Sequence, residues 1–147
     1  MKFAGSSSYP DATGTLRLSS GAMLGWTANG RAVAPLTTLA QALAVENGSG
    51  GRVPPRWLDA KDRITGTASL NIAVDADIGG GCAGCAILSA PGDLVGVVIG
   101  GNRESAAGRY WFDGASRAVG LDAAAIKELL LKVYRTDDLM KEMVIAR

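Results

Sequence analysis

The stretch Asp77-Ile78-Gly79-Gly80-Gly81-Cys82-Ala83-Gly84-Cys85 gathers most of the residues in this sequence whose types and spacing could do chemistry. Gly81 lies two residues before Ala83 and Gly84 just after it. That spacing lets a backbone turn sharply, so that two N–H groups point into one pocket, as holding an oxyanion requires. Cys82 and Cys85 form a Cys-x-x-Cys, which in other settings is a redox pair or half of a zinc site. A redox motif of this kind opens a helix in a βαβ context, whereas this one sits between strand patterns. Zinc needs two further ligands, and the chain has no histidine and no third cysteine. Within one chain the pair reads first as small residues filling a tight turn. A four-cysteine site shared across a two-fold axis, with each copy giving its pair, stays open.

The missing histidine restricts the chemistry further. No side chain here titrates near neutrality at its ordinary pKa, so a Ser-His or Cys-His nucleophile pair cannot be assembled from this chain alone. Lys and Arg total 15 against 14 Asp and Glu, which provides no basic field for nucleic acid. No apolar run approaches the ~20 residues needed to cross a bilayer. Met1-Lys2-Phe3-Ala4-Gly5 lacks the apolar stretch of a signal peptide, so the expectation is a cytoplasmic start or a mature piece whose targeting segment is gone. With 147 residues, 48% apolar and 20% charged, the chain is one domain's worth, residues 1–147. Its 20 glycines are roughly twice the usual share and suit a small β-barrel better than a helix bundle.

The elements that must position the glycine turn follow from periodicity. Thr15-Leu16-Arg17-Leu18-Ser19 alternates and reads as a half-buried strand, Ser20-Gly21 as a turn, and Ala22 to Trp26 as the returning strand. Asn29-Gly30 is a hairpin signal. Thr37 or Thr38 can cap a helix to about Val45 with Leu39 and Leu43 on one face, and Pro54-Pro55 starts another through Arg56 to Arg63. Leu70, Ile72 and Val74 alternate along a strand. Ala86 to Ser89, the turn Ala90-Pro91-Gly92-Asp93 and Leu94 to Ile99 form a hairpin, and Arg109 to Phe112 and Arg117 to Leu121 are further strand candidates. Asp122 can cap a terminal helix with the stripe Ile126, Leu129, Leu130, Val133, and Thr136 a last turn. The pattern predicts barrel strands over about 13–34 and 69–121, a helical insertion over about 37–63 and a C-terminal helix over about 123–143.

In three ordered blocks, Asp77 to Ala86, Gly92 to Gly96 and Ile99-Gly100-Gly101-Asn102, the sequence resembles the bacterial exodipeptidases of the dipeptidyl-peptidase 7 and 11 type, family 46 of the serine peptidases. In that family the blocks are Asp-Ile-Thr-Gly-Gly-Asn-Ser-Gly-Ser-Pro, Gly-x-Leu-Val-Gly and Phe-Asp-Gly-Asn. Tyr9 to Ser19, Pro54 to Leu58, Arg117 to Asp122 and Val133 to Leu139 extend the likeness over nearly the whole chain. It implies a chymotrypsin-like six-stranded β-barrel, the nucleophile-bearing C-terminal barrel of a two-barrel dipeptidyl aminopeptidase that needs no cofactor. It implies Gly81 and Ala83 as oxyanion-hole backbone positions, and Gly100, Gly101 and Asn102 as a wall of the specificity pocket. Glycine at 101 resembles members that accept apolar side chains. Family members are periplasmic, secreted or at the cell surface.

The departures are as specific as the likeness. The family's nucleophilic serine falls on Ala83, and its neighbouring asparagine, serine and proline on Cys82, Cys85 and Ala86. The catalytic histidine and aspartate belong to an N-terminal barrel that this sequence lacks, as it lacks the helical domain that holds the substrate's amino terminus. The expectation is a scaffold without its chemistry, inactive alone, with peptides as substrate class by resemblance only. Alternatives from other classes are a barrel-derived binding module forming homo-oligomers, and thiol or metal chemistry at Cys82 and Cys85. Replacements crowded around the former active site, with Met1 just before the domain, suit an excised, redesigned or degenerate domain.

Overall fold

Leucine, isoleucine and valine at every second position of Ser69–Val74 put one face of a strand into the interior, and in the computed structural model Leu70, Ile72 and Val74 are all buried. The structure describes residues 16–44, 53–78, 81–108, 110 and 112–145. Its strands are β1 (Trp26–Ala28), β2 (Arg31–Val33), β3 (Leu36–Thr38), β4 (Ser69–Val74), β5 (Ala86–Leu88), β6 (Leu94–Gly101) and β7 (Ala118–Asp122). Five of them make an antiparallel sheet in the order β3-β4-β7-β6-β5, and β1 with β2 forms a separate ribbon. The class is mainly β with helical additions. Among the described residues β3 and β5 are the edges of this sheet.

Turn chemistry fixes the connections. Asn29 and Gly30 have φ of 51° and 75°, the paired left-handed conformations that a two-residue hairpin needs to join Ala28 to Arg31. Between β5 and β6, Gly92 takes φ 99° while Ser89 accepts its N–H and donates its own to Asp93. Gly96 lies where β6 crosses the core. A Cβ there would come 2.5 Å from the Leu121 carbonyl and 2.8 Å from the Ile72 side chain. A bulge between Val98 and Gly100 turns Ile99 outward and re-aims the end of β6.

The helices cover one end of the sheet. Thr38 and Gln41 form a reciprocal cap on α1 (Leu39–Ala44): Thr38 donates its N–H to Gln41 Oε1 at 2.8 Å and accepts the Gln41 N–H at 3.3 Å. Pro55 opens α2 (Pro55–Asp59), and Asp122 caps α3 (Ala123–Leu129) by accepting the Ala124 N–H at 2.7 Å. Leu39, Ala60, Ile64, Leu70, Ala125 and Leu129 form one buried cluster, with Trp57, Leu43 and Val133 packed against it. Each fully buried leucine contributes roughly 2 kcal/mol, so this cluster ties both helical additions to β4. No helix among the described residues is long and apolar enough to cross a membrane.

Four expectations about local elements are corrected. Residues 16–20 form no strand: Leu16 and Leu18 point to solvent while Arg17 turns in and pairs with Asp77 at 3.1 Å, an ion pair that overrides the alternation. In the expected returning strand only Met23 bridges, to Val74, and β1 begins at Trp26. The C-terminal helix is not continuous over 123–143. After α3, Leu130–Tyr134 widen into π-type turns, Arg135 takes φ 53°, and α4 (Asp137–Ile145) starts afresh. The Leu130 carbonyl accepts both the N–H and the hydroxyl of Thr136, which satisfies the helix end and reverses the chain. Of the candidate strand at 109–112, Tyr110 and Phe112 lie outside any strand, and Arg109 and Trp111 lie outside the described residues.

Candidate active-site cleft

Beyond β4 the chain reaches the glycine turn through Asp77, whose Oδ2 is held by Arg17 and whose Oδ1 is sealed without a hydrogen-bond partner among the described residues. Gly81 and Gly84 then take φ of 88° and 92°, a region that only glycine enters freely. Cys85 donates its N–H to the Cys82 carbonyl at 2.9 Å, closing a tight turn around Ala83 and Gly84. Two bonds of 2.8 Å staple this turn to β6: Gly84 N–H to the Val98 carbonyl and Val98 N–H to the Cys85 carbonyl. Ala83 is thereby fixed on the sheet.

Gly81, Cys82 and Ala83 border an open cavity of about 430 Å³ whose far wall includes Val98, Gly100 and Gly101. Ile78, Ser105, Ala106 and Tyr110 complete its lining. Gly100 has open space where a Cβ would stand, but a Cβ on Gly101 would strike the Ser105 side chain and come 2.8 Å from the Arg117 carbonyl. Small residues here keep the cavity open.

Asn102 is brought to this region without lining it. Its side chain is buried and fully engaged: Oδ1 accepts the N–H of Ser105 at 3.1 Å and of Arg117 at 2.8 Å, and Nδ2 donates to the Ala115 carbonyl at 2.8 Å. It caps the 3₁₀ turn Arg103–Ala107 that carries Ser105 to the cavity. Ser105 and Tyr110 are lining residues that sequence reasoning did not single out. The spacing Asn102-x-x-Ser105, an Asn three residues before its capped amide, was the available signal for the first.

Cys82 lines the cavity, half-buried, while Cys85 is exposed outside it, and both are free thiols. Lost hydration, then the hydrogen bond and charge of Cys82, push the Cys85 thiol above the ordinary cysteine range. No third metal-binding side chain joins them among the described residues. Among the described residues the cavity lining contains no carboxylate, lysine or arginine, and the sequence has no histidine to add. As built, the cleft offers shape, backbone groups, one thiol and two hydroxyls.

Solved structures with the same fold include those of Porphyromonas endodontalis DPP11. Its complex with the dipeptide Arg-Glu matches at a TM-score of 0.76 and 21% identity, over 87% of this chain and 20% of that one. Its complex with the dipeptide Arg-Asp matches at 0.73 and 19%, over 84% and 20%. This chain thus spans about a fifth of the length of these neighbours. At the level of sequence the Peptidase S46 profile matches residues 1–145, nearly the whole chain, and the protein accordingly belongs to the Peptidase S46 family.

Proposed function

We propose that this chain is the nucleophile-side barrel of a dipeptidyl aminopeptidase in which the nucleophile has been replaced, and that it is catalytically silent alone. The observation that carries this reading is the position of Ala83. It sits in a two-glycine turn stapled to β6, facing a cavity walled by Gly100 and Gly101, with no general base among the described lining residues. In an active relative a serine here would attack the peptide carbonyl, the amides of Gly81 and residue 83 would hold the oxyanion, and a histidine from another barrel would take the proton. Neither cysteine replaces that serine, since both lie off its position and the chain supplies no histidine as base.

The test is a chromogenic dipeptidyl substrate incubated with the purified chain and with Ala83→Ser. Both remain silent on this reading, because restoring the hydroxyl does not restore the base. Release of chromophore in proportion to the wild-type chain overturns it.

A second reading, a self-assembling module, has one observation in its favour. Leu88, Leu94 and Ile99 are 56%, 52% and 56% exposed on the β5–β6 hairpin, and β5 is a sheet edge among the described residues. Light scattering separates the readings: a monomer at micromolar concentration removes the second.

A further inference from the structure

A second cleft lies behind the 3₁₀ turn, and it has what the first lacks. Arg117 is only 6% exposed, an unusual burial for a guanidinium. Its Nε donates to the Gly25 carbonyl at 2.9 Å, and Nη1 donates to the carbonyls of Gly114 and Ser116, each at 2.7 Å. These three bonds fix the guanidinium plane but neutralise no charge. Arg117 makes no ion pair with a described residue, and its Nη2 has no hydrogen-bond partner among them although it is not sealed from solvent. A buried cation with its fork pre-aimed and two donors spare is set to receive a carboxylate.

The space beside it suits such a ligand. An open cleft of about 460 Å³ is bordered by Arg117, Leu24, Trp26, Ala115 and Glu104. Glu104 is half-buried, and its carboxylate makes no ion pair with a described residue either. Two opposite charges therefore line one cleft without pairing, and Leu24 and Trp26 add apolar and aromatic surface to the same lining. That arrangement repels a simple anion at one end and welcomes an ammonium there.

We propose that this cleft binds a small zwitterion with an apolar body, a free α-amino acid such as leucine. Its carboxylate lies on Nη2 of Arg117, its ammonium group near Glu104, and its side chain against Leu24 and Trp26. The site is separate from the Ala83 cavity and does not depend on the reading given to that cavity.

Titration of the isotope-labelled chain with L-leucine, followed by amide and indole N–H shifts, tests this. Saturable shifts at Gly25, Gly114, Ala115 and the Trp26 indole are expected by ~10 mM, the weak range proper to a few polar contacts. Leucinamide, which lacks the carboxylate, should give none, and N-acetyl-leucine, which lacks the ammonium, should bind at least several-fold more weakly. Arg117→Lys should abolish the leucine shifts. Because that side chain also ties three carbonyls, Ala115→Leu serves as the second variant, filling the cleft while keeping the guanidinium and likewise ending binding. Absent shifts with leucine, equal shifts with leucinamide, or unchanged binding in Ala115→Leu each overturn the proposal.

Discussion

The two clefts stand back to back across one short turn, with Ser105 lining the first and Glu104 the second. The first is made of glycines, alanines and a thiol, and its order comes from backbone bonds to β6. The second is organised by a single buried charge whose hydrogen bonds reach from residue 117 to residue 25. The contrast separates two things an active site ordinarily combines. Shape is held by local backbone chemistry and needs no reactive side chain. Charge needs a long-range network to hold it and is costly to bury. Asn102 belongs to both, since its side chain bonds Ser105 on one side and Arg117 and Ala115 on the other.

Breaking that shared support should have the largest effect. Asn102→Ala leaves the Arg117 N–H and the Ala115 carbonyl without their partner and the Ser105 N–H with only the backbone carbonyl of residue 102, and should cost about 3 kcal/mol at 1–3 kcal/mol for each orphaned group. Asn102→Asp keeps both acceptor bonds but turns the donation to Ala115 into an oxygen–oxygen repulsion unless the buried carboxyl is protonated, so it should recover only part of that stability. Urea denaturation measures both; equal losses would mean the acceptor bonds are not what holds the turn.

The first cleft is tested by its two adjacent glycines. Gly101→Ala drives a methyl group into Ser105 and the Arg117 carbonyl and should cost about 2 kcal/mol, in the range of overpacking. Gly100→Ala meets nothing within 4 Å and should lie within about 0.5 kcal/mol of the parent. Matching thermal shifts for the two variants would contradict a cavity wall closed at Gly101 and open at Gly100.

A smaller effect separates the two thiols. Because Cys82 helps push the Cys85 thiol up, alkylation of Cys85 should accelerate only above the pH usual for a free cysteine. Cys82→Ala should move that acceleration to lower pH, with partial dehydration leaving some of the shift in place. Iodoacetamide rates across a pH series read this directly, and an unmoved profile would assign the whole shift to burial.

How much of this was legible beforehand follows the same division between local and distant causes. Asn29-Gly30, Gly92, Pro55 and Asp122 act on their immediate neighbours, and each turn or cap stands where the residue type points. Gly81, Cys82, Ala83, Gly100 and Gly101 share one cavity because a turn and a hairpin place them there, both written in glycine spacing. Arg117 looked like the first residue of a strand, since nothing nearby in sequence announces a bond to Gly25 92 residues away. Arg17 was equally opaque. Its ion pair to Asp77 turns an apparently amphipathic strand inside out, and period-two reasoning assumes that the apolar side goes in. The break near Arg135 has a local cause, the bonds from Thr136 to the Leu130 carbonyl six residues back.

The mildest prediction concerns the clamp between the helical insertion and α3, remote from both clefts. Glu128 accepts the Thr65 N–H at 2.6 Å and lies 3.5 Å from Lys132. The Thr65 hydrogen bond, with the Lys132 charge as a lesser cause, holds this carboxyl below the usual glutamate range. A lowered folded-state pKa means that the unfolded chain takes up the proton first as pH falls. The stabilisation is therefore complete above the ordinary glutamate value near 4.3 and disappears as pH drops through the lower folded value. Glu128→Gln keeps an acceptor for Thr65 but loses the charge, so at pH 7 it should cost under about 1 kcal/mol. Wild type and variant should converge between pH 5 and the acid limit, the wild type losing the greater share. A stability gap that stays constant from pH 7 to pH 3 would place the contribution of Glu128 in packing, because only the ionised form can lose its advantage to protons.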